Sequence, residues 1–221
     1  NIGFSDLAGN AGSAVTSTTG NATSVLFDKT PPTLSQVTAV PTPTNDNTSS
    51  YTFSSNDAGT IAYGGSCSSS DTSATAANNT ITFNALTDGT YANCYITVTD
   101  NASNTSSTLS VNSFTIDTTA PTLSQITAVP TPTNDNTSSY TFSSNEAGNI
   151  TYGGSCSSST TSASAGNNNI IFNALADGPY SNCTIAVTDN ASNTSDNLTV
   201  SSFTIDTVKP VLAQVTAVTT P

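Results

Sequence analysis

The chain has 221 residues, 34% of them hydrophobic and 7% charged, and 14 acidic residues against Lys29 and Lys209 leave a net charge of −12. That balance argues against nucleic acid as a partner, and so modest an apolar share suits two small sandwich cores better than one deep core. Four cysteines without Met or Trp, amid abundant Ser, Thr and Asn, read as an exported protein in an oxidising compartment, and no apolar run is long enough to span a bilayer.

The chain opens on Asn1, so a secretion signal or anchor is expected outside it. Residues 1–31 carry "FSDLAGN" (Phe4 to Asn10), and the stretch "VLFDKTPPTLSQ" (Val25 to Gln36) crosses their end. Variants of that stretch return as "FTIDTTAPTLSQ" (Phe114 to Gln125) and "FTIDTVKPVLAQ" (Phe203 to Gln214). Pro32, Pro121 and Pro210 recur every 89 residues, and Cys67 and Cys156, Cys94 and Cys183, and Asp117 and Asp206 keep the same interval, which marks a tandem array. Aligned over 89 positions, residues 32–120 and 121–209 differ at 20, nearly all Ser, Thr, Asn or Ala exchanges expected to face solvent. Four segments follow: 1–31 as the last hairpin and final strand of a preceding repeat, 32–120 and 121–209 as whole repeats, and 210–221 as the first strand of a following one.

Within a repeat the first strand is "TLSQVTAV", whose apolar phase slips between Leu34 and Val37, as expected of a strand that crosses between sheets through a bulge or bend. Period-two alternation follows in "SYTFSS" (Tyr51, Phe53), "TIAYGG" (Ile61, Tyr63), "NTITFNAL" (Ile81, Phe83), "CYITVTD" (Cys94, Ile96, Val98) and "TLSVNSFTID" (Leu109, Val111, Phe114, Ile116), bounded by Gly, Pro, Asn and Asp. About seven short strands in 89 residues predict an all-β chain of tandem immunoglobulin-like β-sandwiches.

"LTDGTY" (Leu86 to Tyr91) and "LADGPY" (Leu175 to Tyr180) have the turn and Tyr of a tyrosine corner. Tyr91 precedes Cys94 by three residues, which puts the two on opposite faces unless a bulge near Asn93 restores the phase. Four cysteines allow three pairings, and repeat symmetry favours Cys67 with Cys94 and Cys156 with Cys183, each closing a loop worth on the order of 3 kcal/mol. Buried free thiols are the alternative. Cys67 follows the third strand, so the bridge would not be the antibody type that joins the two sheets.

At "VTDNASN" (Val98 to Asn104), its copy at Val187 to Asn193, "FSDLAGN", and the joint "IDTTAPT" (Ile116 to Thr122), the chain resembles bacterial Ig-like repeats of large cell-surface proteins and adhesins. In that family a last hairpin reading V-T-D-x-A-G-N precedes a strand ending in D-T-T-A-P; here Ser103 and Ser192 stand where the family has Gly. The resemblance covers essentially the whole chain and implies stalk or adhesin repeats on a cell surface.

In such sandwiches the first strand starts at one end and the last leaves from the other, so repeats stack end to end, each advancing the chain by ~35–45 Å. Few residues separate Ile116 from Leu123, and Pro121 fixes φ among them, which predicts a stiff connection. The topology should bring Asp117 to Glu146 and Asp189 of the next repeat, and Asp28 to Asp57 and Asp100. Three acids at one seam repel unless water, protons or a cation intervene, and oxygen-only ligands suit Ca²⁺, so Ca²⁺ at each joint is one expectation. The other is that Asp100 and Asp189, like Asp46 and Asp135 in "TNDNT", only cap turns.

His is absent, which removes Ser-His-Asp and Cys-His nucleophile systems and every His-bearing metal site. "YGGSCSSS" lacks the Lys and spacing of a phosphate loop, and the acids fall in repeated turns rather than in one cleft, so no enzyme is expected. Asn-x-Ser/Thr sequons, Asn104 and Asn193 among them, arise readily in such a composition. The leading expectation is an extracellular structural segment, a stalk or fibre of an adhesin or filament, whose partners are neighbouring repeats or copies of itself. The alternative is a module that binds a glycan or a protein on a host or neighbouring cell. Tyr95 is expected to face solvent, but Thr184 takes its place in the second repeat, so no repeated stacking platform exists.

Overall fold

The computed structural model describes residues 28–213. The hairpin expected within 1–31 therefore lies, up to Phe27, outside the described residues, as do residues 214–221 of the strand expected over 210–221. The described part is all β. In the first repeat the strands are β1 (Leu34–Thr38), β2 (Ser50–Ser55), β3 (Gly59–Gly64), β4 (Ser73–Ala74), β5 (Asn78–Thr82), β6 (Gly89–Tyr91), β7 (Tyr95–Asp100), β8 (Leu109–Ser110) and β9 (Phe114–Ile116). The second repeats the order: β10 (Leu123–Thr127), β11 (Ser139–Ser144), β12 (Gly148–Gly153), β13 (Ser162–Ala163), β14 (Gly166–Ile171), β15 (Gly178–Tyr180), β16 (Thr184–Thr188), β17 (Leu198–Thr199) and β18 (Phe203–Ile205). Among the described residues no helix is long and apolar enough to cross a membrane.

Each repeat is a sandwich. One sheet has the order β1-β2-β5 and the other β4-β3-β7-β8, with β6 and β9 as a separate pair; β10 to β18 follow the same plan. The period-two strands point alternate residues inward, so Tyr51, Phe53, Ile81 and Phe83 of one sheet meet Ile61, Ile96 and Val98 of the other, with Phe114 and Ile116 completing the cluster. Tyr51, Phe83, Phe114 and Tyr91 form a file of rings with successive centroids 6.4, 5.9 and 5.4 Å apart, and Tyr140, Phe172, Phe203 and Tyr180 repeat it. Each fully buried ring stabilises the fold by about 1.5–3 kcal/mol. The second repeat has its own buried cluster around Tyr140, Phe142, Ile170 and Phe172.

The phase slip of the first strand is a β-bulge: the register of β1 on β2 shifts between Gln36 and Thr38, leaving Val37 exposed while Val40 is buried. Beyond it the chain passes the cis Thr42–Pro43 bond and leaves the first sheet, and Thr44 bridges Ile116 in parallel. The expectation near Asn93 needs correcting. Tyr91 lies opposite Phe114 and Tyr95 opposite Ser110, the same register on either side of the gap, so no extra residue is inserted. Instead both strands break together at 92–94 and 111–113, and each shifts phase by one residue, which places Tyr91, Cys94, Val111 and Phe114 all on the core side. This paired break divides the last two strands and gives nine segments per repeat rather than about seven.

Cys67 is bonded to Cys94 and Cys156 to Cys183. Each bridge ties the turn after β3 or β12 to the start of the neighbouring strand of the same sheet, β7 or β16. The tyrosine corners close as Tyr91 Oη donates to the Thr87 carbonyl at 2.9 Å and Tyr180 Oη to that of Ala176 at 3.0 Å.

Candidate functional site

The joint is built from three parts: the connector after the last strand of one repeat, the turn preceding that repeat's tyrosine corner, and two turns of the next repeat. The connector is tied along its length. Asp117 N–H donates to the Thr44 carbonyl at 2.9 Å, and Thr119 N–H donates to Asp117 Oδ1 at 3.2 Å. Asp88, in the turn before Tyr91, accepts from Thr118 N–H and Oγ1 with one oxygen (3.0 and 2.8 Å) and from Thr119 Oγ1 with the other (2.9 Å). These donors, Thr118 first, hold the Asp88 carboxyl below the ordinary aspartate range. Pro121, which has no N–H to satisfy, is buried, and Thr122 exchanges hydrogen bonds with Asn145 in the β11–β12 turn.

From the second repeat, the hairpin after β16 meets the connector. Asp189 and Asn193 first hold the hairpin itself: Asn193 N–H donates to Asp189 Oδ1 and Asn193 Nδ2 to Asp189 Oδ2, both at 2.9 Å. Ser192 completes this turn at φ 75°, and Ser103 completes its copy at φ 69°, the left-handed conformation that Gly adopts without cost. The turn thus keeps the Gly geometry with Ser in place. Having closed the hairpin, Asn193 Nδ2 also donates to the Asp117 carbonyl at 2.8 Å, and Asn45 of the first repeat donates to the Ser192 carbonyl at 3.3 Å. The preceding joint repeats the tie, with Asn104 Nδ2 reaching the Asp28 carbonyl at 3.2 Å.

Around these ties the structure collects two acidic triads, Asp28 with Asp57 and Asp100, and Asp117 with Glu146 and Asp189. In each, one oxygen per carboxylate lies within 4.8 Å of the others. Asp100 and Asp189 are buried and the rest are half-buried, save for exposed Asp28. Burial first, then the charges of Asp117 and Asp189, push the Glu146 carboxyl up, while the Asn104 amide holds that of Asp100 down. Both readings of these acids coexist in the geometry: Asp100 and Asp189 cap their hairpins, and each also joins a cluster of oxygen donors. Asp46 and Asp135 cap turns only, through Thr48 and Thr137. An oxygen-only donor set of three carboxylates fits a hard cation such as Ca²⁺ and offers nothing to a soft one.

The ties from Asn104, Asn193, Asn45 and Asp88 were not anticipated from sequence. Asn104 and Asn193 resemble any sequon of this Asn-rich chain, although each pairs with an acid four residues earlier in the repeated hairpin, a spacing that could have signalled a capped turn. Tyr95 is exposed, as expected, with its ring over Gly64, and Thr184 lies over Gly153 in its place.

No protein-family model matches the sequence, and a search of curated proteins found no match. Among solved structures, the chain is similar to the fibronectin(III)-like modules of Clostridium thermocellum CbhA, at 11% identity over 78% of this chain and 94% of that one, with a TM-score of 0.41. At so loose a superposition, the assignment of tandem immunoglobulin-like sandwiches rests on this chain's own strand pairing.

Proposed function

We propose that the chain is a non-catalytic spacer: a segment of an extracellular tandem Ig-like repeat protein, of the bacterial cell-surface kind it resembles, that forms the stalk or fibre of a surface adhesin or filament. The observation that carries this reading is the joint. The same residues tie the connector to the next repeat at Asp28 and again at Asp117, so the array adds copies by one contact rather than by distinct sites. The absence of His from the sequence supports the non-catalytic half of the reading, as do the grooves beside the joints: the first (Thr30 to Leu34 with Ser107 to Leu109) has no titratable side chain and its copy (Pro121 to Leu123 with Asp196 to Thr199) has the single carboxylate of Asp196. The two disulfides suit an oxidising exterior.

Within this reading Asp117, Glu146 and Asp189, and likewise Asp28, Asp57 and Asp100, would hold a Ca²⁺ ion. When bound it supplies positive charge that offsets three carboxylates and links one repeat to the next.

Chains of two, three and four repeats test the spacer. Small-angle scattering should show the maximum dimension growing by ~35–45 Å with each added repeat; growth well below that, from repeats folded against each other, overturns it. The ion has its own test. Equal melting temperatures in millimolar Ca²⁺ and in excess chelator would remove the ion and leave the spacer intact.

A further inference from the structure

The outer edge of the first sheet differs between the repeats. β5 and β14 are the terminal strands of the sheets β1-β2-β5 and β10-β11-β14. Their pairing turns the backbone of Asn78, Thr80 and Thr82, and of Asn167, Asn169 and Ile171, away from the neighbouring strand, since Phe83 and Phe172 bond inward to Ser49 and Ser138. In the first repeat the end of this edge is closed by a charge: Asp71 Oδ2 accepts Thr82 N–H at 3.0 Å. A carboxylate laid against an edge strand is a device that prevents further strand pairing.

In the second repeat both members of that cap are replaced. Thr160 stands for Asp71 and Ile171 for Thr82. Ile171 is 56% exposed and its outward N–H has no partner among the described residues, whereas its carbonyl accepts from Ser158 Oγ and the loop at 157–158 runs beside Phe172 and Asn173, so the open edge ends at Ile171. The strand itself, "GNNNII" (Gly166 to Ile171), is six residues long against five in β5, unbulged over its pairing with β11, and free of Pro and charge. No charged residue occurs between Glu146 and Asp177. Two copies of a chain with net charge −12 repel over most of their surface, and this uncharged edge is where they can approach most cheaply.

We propose that the free edge of β14 is a strand-addition surface that takes the same edge of a second copy, β14 pairing antiparallel with β14 about a two-fold axis. The pairing sets Asn169 of each copy to exchange backbone hydrogen bonds with its counterpart and the free Ile171 N–H to donate to the Asn167 carbonyl of the other copy, while the Ile171 carbonyl stays with Ser158 and the Ile171 side chains lose water. A contact this short is small beside a standard interface and is therefore weak between isolated chains; longer arrays would multiply it. It does not rest on the spacer reading, since a spacer remains one whether or not it pairs sideways.

Analytical ultracentrifugation of the 221-residue chain tests it. The weight-average mass should rise with concentration toward twice that of the monomer, and more strongly at high salt, which screens the like charges. The double variant Thr160→Asp/Ile171→Thr installs the cap with which the first repeat already folds, and should remain monomeric with an unchanged circular dichroism spectrum. The reciprocal Asp71→Thr/Thr82→Ile should open a second edge and carry the mass beyond the dimer. A wild-type chain that stays monomeric to about 1 mM in high salt, or association unaltered in the capped variant, overturns the proposal.

Discussion

Replacing Asn193 by Ala separates the two duties this side chain performs. Its amide donates at 2.9 Å to the charged Asp189 Oδ2 and at 2.8 Å to the neutral carbonyl of Asp117, and the residue is only 9% exposed, so water cannot readily replace either bond. A hydrogen bond to a charged group is worth about 1.5–3 kcal/mol and one between neutral groups about 0.5–1.5 kcal/mol. The first loss falls on the second repeat's own fold. At about 2 kcal/mol, and with 4–8 °C per kcal/mol for a domain of this size, its melting transition should fall by roughly 8–16 °C. The second loss, about 1 kcal/mol, falls on the joint, because Asp117 belongs to the connector. It should broaden the distribution of distances between spin labels placed one on each repeat, measured below the melting transition. Asn190→Ala, in the same hairpin but exposed, serves as control and should stay within about 0.5 kcal/mol of wild type. Wild-type melting and an unbroadened distance distribution in Asn193→Ala would refute the view that this amide holds hairpin and joint together.

Removing the bridge with Cys156→Ala/Cys183→Ala should cost on the order of 3 kcal/mol in urea titrations, because the loop of separation 27 regains its freedom when unfolded; an unchanged midpoint would contradict this. Ser192→Gly relieves a residue held at φ 75° and should raise the melting temperature slightly, by up to about 1 kcal/mol of stability, whereas Ser192→Val should lower it. Asp88 gives a pH-dependent signature. A carboxyl whose folded pKa is depressed contributes stability above its unfolded value of 3.8, and that stability is lost as the pH falls through the folded pKa. An NMR titration should therefore place Asp88 below 3.8, and Thr118→Val with Thr119→Ala should move it back up.

How much of this was legible in sequence depends on whether a feature repeats or merely occurs. The period of 89 residues located the repeats, constrained the cysteine pairing and allowed the acids of one repeat to be placed against the connector of the one before. Alternation identified β2, β3, β5 and β7 to β9 but not the short β4 and β6, and the slip at Val37 read correctly as a bulge. The slip between Tyr91 and Cys94 did not, because a change of phase on one strand looks the same whether one residue is inserted or both partners break together. Only the paired slip between Val111 and Phe114 on the opposite strand distinguishes the two, and that needs the pairing to be known. Asn104 and Asn193 were illegible for another reason: their second acceptor is a main-chain carbonyl 76 residues away, which leaves no mark on residue type.

That acceptor also explains how the joint can tolerate drift in the connector while the hairpin cannot. The tie from Asn104 or Asn193 uses a backbone atom of Asp28 or Asp117, which any residue at those positions would supply, but on the donor side it needs one amide held by one carboxylate. The tie from the connector to Asp88 or Asp177 is looser still. In the last connector Val208 replaces Thr119, which removes one hydroxyl donor, yet Thr207 still donates N–H and Oγ1 to Asp177 at 3.0 and 2.8 Å. Since Asn193 is set by the same Asp189 that closes the hairpin, the second repeat cannot lose that turn without releasing the repeat before it. Local unfolding of a hairpin and loosening of its joint should therefore occur as one event, with amide exchange at Asn193 and the spread of distances between spin labels on the two repeats rising or falling together as the stability of the second repeat is varied.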